Sequence, residues 1–193
     1  MKTIALHLLD IIQNSLTAGA TLIEILIDEN IEEQRSTVAI NDNGCGIPLA
    51  ILSRITDPYT TTRTTRKVGL GLSLFRFSAD QTGGGLKISS EVGKGTTVTA
   101  HFIPTHWDMP PWGDVAGVII LLVHANPEID FYYHHSTKTG SYSFDTREVK
   151  AILENVPLNS PQIRKFLLEM INENLKNINA FNVESSQQNK IQL

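Results

Sequence analysis

Cysteine is nearly absent from this chain: Cys45 is the only one among 193 residues, so no disulfide can form within it. This composition is typical of proteins that fold in a reducing compartment. Long apolar runs are missing too, because the longest, residues 115–123, has nine residues whereas a membrane-spanning helix needs about twenty. The chain start lacks the layout of a signal peptide, since His7 and Asp10 interrupt its apolar residues. We therefore expect a cytoplasmic protein without a membrane span.

A large excess of either charge is also missing. The 16 basic and 20 acidic residues give a formal net charge of −4. Residues 1–104 carry 9 basic and 10 acidic residues, and residues 105–193 carry 7 and 10, so neither part is basic. An acidic chain without a basic stripe has no general electrostatic attraction to nucleic acid or to anionic membranes. Nucleic acid is therefore not expected as a partner.

The periodicity of apolar residues predicts an α+β fold in two parts. The first part, residues 1–104, has patterns typical of helices at 4–17, 48–53 and 70–81 and of strands at 21–28, 37–41, 86–90 and 96–102. The stretch from Pro104 to Gly113 is rich in proline and predicts a linker. In the second part, residues 105–193, we expect strands at 115–124, 129–135 and 141–144, helices that open at Asp145 and Ser160, and a frayed polar tail from about 180.

The segment Asp42-Asn-Gly-Cys-Gly46 follows a predicted buried strand. A carboxylate there is costly unless it accepts strong hydrogen bonds, and an adenine amino group supplies such a donor. Gly44 and Gly46 remove side chains where a flat ring would approach the backbone. The hydroxyl of Thr96, or that of Thr97, could reach the edge of the same ring. The alternative for Asp42 is an ordinary Asp-Asn-Gly turn between two strands.

Two polar side chains lie on one face of the first predicted helix, because Asp10 and Asn14 are four residues apart. The Asn14 oxygen suits a hard cation such as Mg²⁺, which keeps several waters and binds phosphate oxygens. Asp10, one turn earlier, could accept the proton of an attacking water. His7 lies on the same side and could orient Asp10. The alternative is a polar stripe that simply faces solvent.

A glycine pair opens the second long helix. Gly69 and Gly71 present backbone N–H groups and the positive end of the helix dipole, which together suit an anion. Residues 58–79 include no acidic residue, and their basic residues are Arg63, Arg66, Lys67 and Arg76. We therefore expect a lid over a polyphosphate. For Arg63 and Arg76 a solvated basic loop is the alternative.

Read in chain order, these segments resemble the nucleotide-binding boxes of the GHKL superfamily, which includes gyrase, heat-shock chaperones, histidine kinases and MutL. The matching segments are 10–21, 42–46, 57–62, 69–73 and 93–97. The first looks like the N box of MutL proteins, and the second matches the G1 box. The third and fourth look like the F and G2 boxes of histidine kinases, and the fifth is similar to the last glycine box. The resemblance covers residues 4–104.

The resemblance implies a Bergerat fold, a two-layer α/β sandwich with helices on one face of a mixed sheet, followed here by a smaller α+β domain. It implies Mg-ATP bound beneath a flexible lid, with Asn14 as the magnesium ligand and Asp42 as the adenine-reading carboxylate. Asp10 stands where hydrolysing members carry a glutamate, which is one methylene longer. The nucleotide site implied by the boxes consists of Asn14, Asp42, Gly44, Gly46, Ile47, Thr61, Arg66, Lys67, Gly69, Leu70, Gly71, Leu72 and Thr96.

Three hypotheses of function follow. The first is a stand-alone ATPase or histidine-kinase-like protein kinase that acts in trans on a protein partner, because only nine residues precede Asp10 and no phosphoacceptor dimerisation helix is expected. The second is an ATP-dependent switch or binding module with little turnover. The third and weakest is a nucleic-acid role by analogy to MutL. Each is compatible with a homodimer, and Lys138 or Lys150 is the candidate for a lysine that reaches the γ-phosphate.

Overall fold

The computed structural model describes residues 3–55, 71–154 and 156–181. The helices in these ranges are α1 (Ile4–Thr17), α2 (Leu49–Ile55), α3 (Gly71–Gln81), α4 (Val115–Ala125), α5 (Thr146–Leu153) and α6 (Pro161–Asn177). The strands are β1 (Leu22–Asn30), β2 (Arg35–Asp42), β3 (Gly85–Glu91), β4 (Gly95–Phe102), β5 (Asp130–Thr137) and β6 (Gly140–Asp145). The part of the predicted lid before residue 71 and the predicted polar tail beyond residue 181 lie outside the described residues.

Side-chain caps begin several helices where the sequence predicts them. The Thr3 hydroxyl accepts a hydrogen bond from the Leu6 N–H at 3.3 Å and begins α1. Asp145 caps α5, and Ser160 caps α6 with Pro161 in the first turn. Each cap satisfies an N–H group that the helix itself leaves without a partner.

The six strands of the described ranges form one mixed sheet in the order β3-β4-β2-β1-β5-β6. Neighbouring strands are antiparallel except β1 and β5, which run parallel. At the centre of β1, Ile25 pairs with Ile40 of β2 on one side and with Tyr133 of β5 on the other. The sheet therefore continues across the predicted boundary between residues 104 and 105. The division of the chain into two domains at that boundary stays a prediction.

Residues 115–124 are helical, so the strand predicted there is wrong. Asp114 caps α4 by accepting a hydrogen bond from the Gly117 N–H at 2.7 Å. Six of the eleven residues of α4 are buried, because this helix contacts α1 on one side and α6 on the other. A helix that is apolar on nearly all sides has the same unbroken apolar run as a buried strand.

One face of the sheet carries the hydrophobic core. In β1 the side chains of Ile23, Ile25 and Ile27 are buried, whereas those between them are partly exposed. Contacts of α3 with α1, of α1 with α4 and of α4 with α6 join these helices into one layer. This arrangement confirms the two-layer α+β architecture that the sequence predicts. Within the described ranges, no helix combines the length and the apolar character needed to cross a membrane.

A buried polar network ties the last described residues to the sheet. Nε2 of His135 lies 2.6 Å from Oε1 of Glu29, and Nδ1 of His135 lies 2.7 Å from the Tyr133 hydroxyl. The same Glu29 oxygen accepts the Phe181 N–H at 2.8 Å. Burial, together with the Glu29 carboxylate, raises the pKa of Tyr133 well above its usual value. Tyr133 therefore stays protonated and keeps a hydroxyl hydrogen for this network.

Candidate functional site

A cavity of about 280 Å³ lies where β2 ends. We name it the Asp42 cavity. Its walls come from α1, from the segment after β2, from α2, from the start of α3 and from β4, and its lining residues are Ile11, Asn14, Ser15, Thr17, Ala18, Asp42, Cys45, Gly46, Ile47, Pro48, Ile51, Ile55, Leu72, Thr96 and Val98. Six residues predicted from the sequence meet here: Asn14, Asp42, Gly46, Ile47, Leu72 and Thr96.

Three hydrogen bonds hold the Asp42 carboxylate in the wall of this cavity. Oδ1 accepts the N–H groups of Gly44 at 3.0 Å and Thr96 at 3.2 Å. Oδ2 accepts the Ser15 hydroxyl at 2.7 Å. A carboxylate oxygen has two lone pairs, so Oδ2 can accept a further donor from the cavity. The carboxylate is therefore oriented without being saturated.

The glycines around Asp42 allow three backbone segments to approach one another closely. Gly46 has φ +70°, and a Cβ there would lie 2.1 Å from the Glu91 carbonyl oxygen. Gly95 has φ +118°, and its Cβ would lie 1.8 Å from the Asp42 carbonyl oxygen. At Gly44, which does not line the cavity, a Cβ would lie 2.9 Å from the carbonyl oxygen of Ala18, the residue that follows α1. For Gly44 and Gly46, close packing is thus a second reason for glycine, beside the space for a flat ring that the sequence interpretation gave them.

Two serines complete the site, and the sequence interpretation missed both. Ser15 is 3% exposed at a position of α1 where the helical repeat calls for an apolar side chain, which was the available signal. Ser90 accepts the Ile47 N–H at 2.8 Å, and its hydroxyl lies 2.9 Å from that of Thr96. Nothing local to the sequence marks Ser90, because its role depends on the pairing of β3 with β4.

The pairing of β4 with β2 decides between Thr96 and Thr97, which the sequence interpretation left as alternatives for the hydroxyl beside the ring. Thr96 pairs with Asp42 across β2 and β4 and lines the cavity. Thr97 pairs with Asn41 and is the next residue along the strand, so its side chain points to the opposite face of the sheet.

Asp10 lies against the first residue of α3. A Cβ added to Gly71 would lie 3.0 Å from Oδ2 of Asp10, so the two helices touch at this point. Asn14 follows one turn later on α1 and lines the cavity. Its amide makes no hydrogen bond to another described residue, and so remains available to a ligand. Asn14, the predicted metal ligand, therefore lines the cavity, whereas Asp10, the predicted catalytic residue, lies one turn earlier beside the N-terminus of α3 and is not among the lining residues.

His7 does not orient Asp10. Its Nε2 lies 3.1 Å from the Ser78 hydroxyl, and its ring stacks on Phe75 with centroids 4.9 Å apart. Burial lowers the pKa of His7 to about 4, so the imidazole is neutral at physiological pH. The contacts of His7 thus position α3 against α1.

The remaining predicted residues fall into two groups. Thr61, Arg66, Lys67, Gly69 and Leu70 lie outside the described residues. The two lysines considered for the γ-phosphate have other partners. Lys138 pairs with Glu32, which follows the end of β1 that is distant from Asp42. The Lys150 ammonium nitrogen lies 2.7 Å from a carboxylate oxygen of Asp130. Lys138 is therefore at the wrong end of the sheet for that role.

Known proteins match the part of the chain that builds this cavity. The sequence model of the family described as histidine kinase-, DNA gyrase B- and HSP90-like ATPase matches residues 2–106. Sensor kinase CckA of Brucella abortus (strain 2308) is 48% identical over 59 residues, which are 30% of this chain and 6% of that protein. Signal transduction histidine-protein kinase AtoS of Escherichia coli (strain K12) is 33% identical over 93 residues, 48% of this chain and 15% of that protein. The matches thus span a small part of each relative's length.

A solved structure shares the fold. The crystal structure of the N-terminal domain of a DNA repair protein matches with a TM-score of 0.53 and 17% sequence identity, over 75% of this chain and 52% of that chain. That match covers a larger share of the chain than residues 2–106 of the family match do.

Proposed function

Because this chain belongs to the family of histidine kinase-, DNA gyrase B- and HSP90-like ATPases, we propose that it binds ATP as the magnesium complex in the Asp42 cavity. We further propose that it transfers the γ-phosphoryl group to water or to a protein partner. The observation that carries this proposal is the Asp42 carboxylate, which lines the cavity in an orientation fixed by three hydrogen bonds.

Adenine suits the Asp42 end of the cavity on chemical grounds. Oδ2 can accept the exocyclic amino group of adenine in addition to the Ser15 hydroxyl. Guanine carries a carbonyl oxygen at that position, which would place two acceptors against each other. The side chains of Ile11 and Val98 offer apolar surface to the faces of a ring. We therefore assign the base to this end.

Phosphate and magnesium suit the contact between α1 and α3. The Asn14 amide oxygen would hold the cation, which binds few protein ligands and keeps phosphate oxygens and waters. In the described ranges, no cluster of three His, Cys, Asp or Glu side chains could hold a metal by itself, which fits a cation shared with the nucleotide. When bound, the ion offsets negative charge on the phosphates. Thr61, Arg66, Lys67, Gly69 and Leu70 are proposed to complete this end.

Asp10 is the proposed general base. It lies against Gly71, where the N-terminus of α3 favours a phosphate group. From there its carboxylate would accept the proton of a water that attacks the γ-phosphorus. A partner side chain in place of that water would make the same protein a kinase, as the names of the two relatives suggest.

The test follows γ-labelled ATP with Mg²⁺ and the purified chain, with and without co-purifying proteins. We expect labelled phosphate from the wild type, or label on a partner, and a loss of at least about 100-fold in phosphate release for Asp10→Asn. Asp108→Asn, on an exposed loop, is the matched control and should leave the rate unchanged. ATP binding without release or transfer would overturn the phosphoryl-transfer proposal in favour of an ATP-dependent switch.

A further inference from the structure

A second cavity, of about 320 Å³, lies between the C-terminal end of α4 and the start of α6. We name it the α4–α6 cavity. It is lined by His124, Pro161, Arg164, Lys165 and Leu168, none of which lines the Asp42 cavity. Three of these five side chains carry or can carry a positive charge, in a chain whose net charge is −4. The cavity is therefore locally basic although the chain as a whole is acidic.

The positive charges of the α4–α6 cavity are scarcely neutralised by the protein. Arg164 makes no ion pair with any described residue. Lys165 lies 3.8 Å from Glu169, but the two side chains are 78% and 67% exposed, so the pair contributes little. An incoming anion would therefore meet an unpaired guanidinium and a weakly held ammonium group.

His124 adds a buried group that lacks a partner. Its Nδ1 is buried and makes no hydrogen bond in the described part of the chain. A buried polar atom without a partner is unfavourable. His124 lies in the last turn of α4 and lines the cavity. The described residues thus leave one nitrogen of this ring without a partner at the wall of the cavity.

We propose that the α4–α6 cavity binds an oxyanionic group of the phosphate class that is carried on a small apolar ligand. The Arg164 guanidinium donates through its planar fork, and the Lys165 ammonium group supplies further charge. Pro161 and Leu168 supply the apolar wall that faces the rest of the ligand. This site is separate from the Asp42 cavity and does not depend on ATP binding there.

The test uses inorganic phosphate and phenyl phosphate as probes, with the His124 ring resonances in ¹H–¹³C NMR as the readout. We expect both probes to shift these resonances saturably, with phenyl phosphate the tighter. The double substitution Arg164→Gln with Lys165→Gln should weaken binding at least about tenfold, because it removes both permanently charged residues that line the cavity. Both residues are exposed, so the fold should be unaffected.

Lys176→Gln, near the other end of α6, is the matched control and should leave the titration unchanged. Phosphate that enters the Asp42 cavity instead would leave the His124 resonances in place. Absence of a saturable His124 shift, or an equal loss in the control and the double variant, would overturn the proposal. Equal affinity for the two probes would overturn its apolar component.

Discussion

At the scale of single residues, Asp42 joins three parts of the chain that are distant in sequence. Its carboxylate accepts hydrogen bonds from Ser15 of α1, from Gly44 after β2 and from Thr96 of β4. The position of this group is therefore fixed before any ligand arrives, and the reorganisation that binding requires is small.

The glycines around Asp42 provide a prediction with an internal control. Gly93 lies in the turn between β3 and β4, and Gly95 is the first residue of β4. Both have positive φ, but only the Cβ of Gly95 would meet another atom, the Asp42 carbonyl oxygen at 1.8 Å. We expect Gly93→Ala to destabilise the fold by about 1 kcal/mol, from backbone strain alone. Gly95→Ala should cost at least about 3 kcal/mol and abolish ATP binding. Chemical denaturation and calorimetry check both, and equal effects of the two variants would contradict this account.

The sequence predicted some residues of this site and missed others, and the difference has a physical reason. Asp42 and Asn14 stand in motifs whose spacing carries the information locally. Ser15 and Ser90 are ordinary residue types, and their importance arises only when α1, β3 and β4 meet around the Asp42 cavity. Long-range pairing of this kind cannot be obtained from a motif.

At the scale of elements, helix caps and strand alternation were predictable because each is determined within a few residues. The α4 helix was not, since its apolar run resembles a strand and only its neighbours α1 and α6 explain why six of its eleven residues are buried. Asp114 was the local signal that could have identified this helix. Its side chain accepts a hydrogen bond from the N–H group three residues later, as a typical helix N-cap does.

The packing of α1 on α3 makes stability depend on pH through His7. Its pKa is about 4 in the folded protein and 6.5 in the unfolded chain. Above pH 6.5 the ring is neutral in both states, so it adds no pH dependence. As pH falls from 6.5 to 4 the unfolded state takes up a proton that the folded state does not, and stability falls. Below pH 4 no further loss arises from this group.

This dependence can be measured as the free energy of unfolding in urea at pH 7 and pH 4.5. We expect the wild type to lose roughly 2 kcal/mol more than His7→Gln between these values, since a glutamine side chain does not titrate. His106→Gln, which removes a partly exposed histidine, should follow the wild type. An unchanged pH dependence in His7→Gln would show that His7 is not the group responsible.

At the scale of the whole molecule, one sheet runs through both parts of the chain. The parallel pairing of β1 with β5 buries what would otherwise be an open edge of the first four strands. The sequence could not predict this pairing, because the strands belong to segments that a proline-rich stretch separates. Hydrogen bonds of Glu29 with His135 and with Phe181 then hold the segment after α6 against the same sheet.

We therefore expect the described parts to unfold together. Far-UV circular dichroism and tryptophan fluorescence should report one transition with coincident midpoints. Glu29→Ala should lower the stability by about 2 to 6 kcal/mol in both signals, because it leaves two polar groups, the buried His135 ring and the Phe181 N–H, without their partner. Glu33→Ala, an exposed partner of Arg35, should cost less than about 1 kcal/mol. Two separate transitions would instead support independent domains at 1–104 and 105–193.

The central claim is that ATP binds through Asp42, and calorimetric titration of Mg-ATP into three proteins tests it most directly. Asp28→Asn is the matched control, since this β1 carboxylate also accepts a serine hydroxyl, from Ser136 at 2.7 Å, away from the cavity. We expect wild type and Asp28→Asn to bind alike. Asp42→Asn should bind at least about tenfold more weakly, because it replaces a charged acceptor for adenine by a neutral amide. Unchanged affinity in Asp42→Asn, or an equal loss in both variants, would contradict the claim.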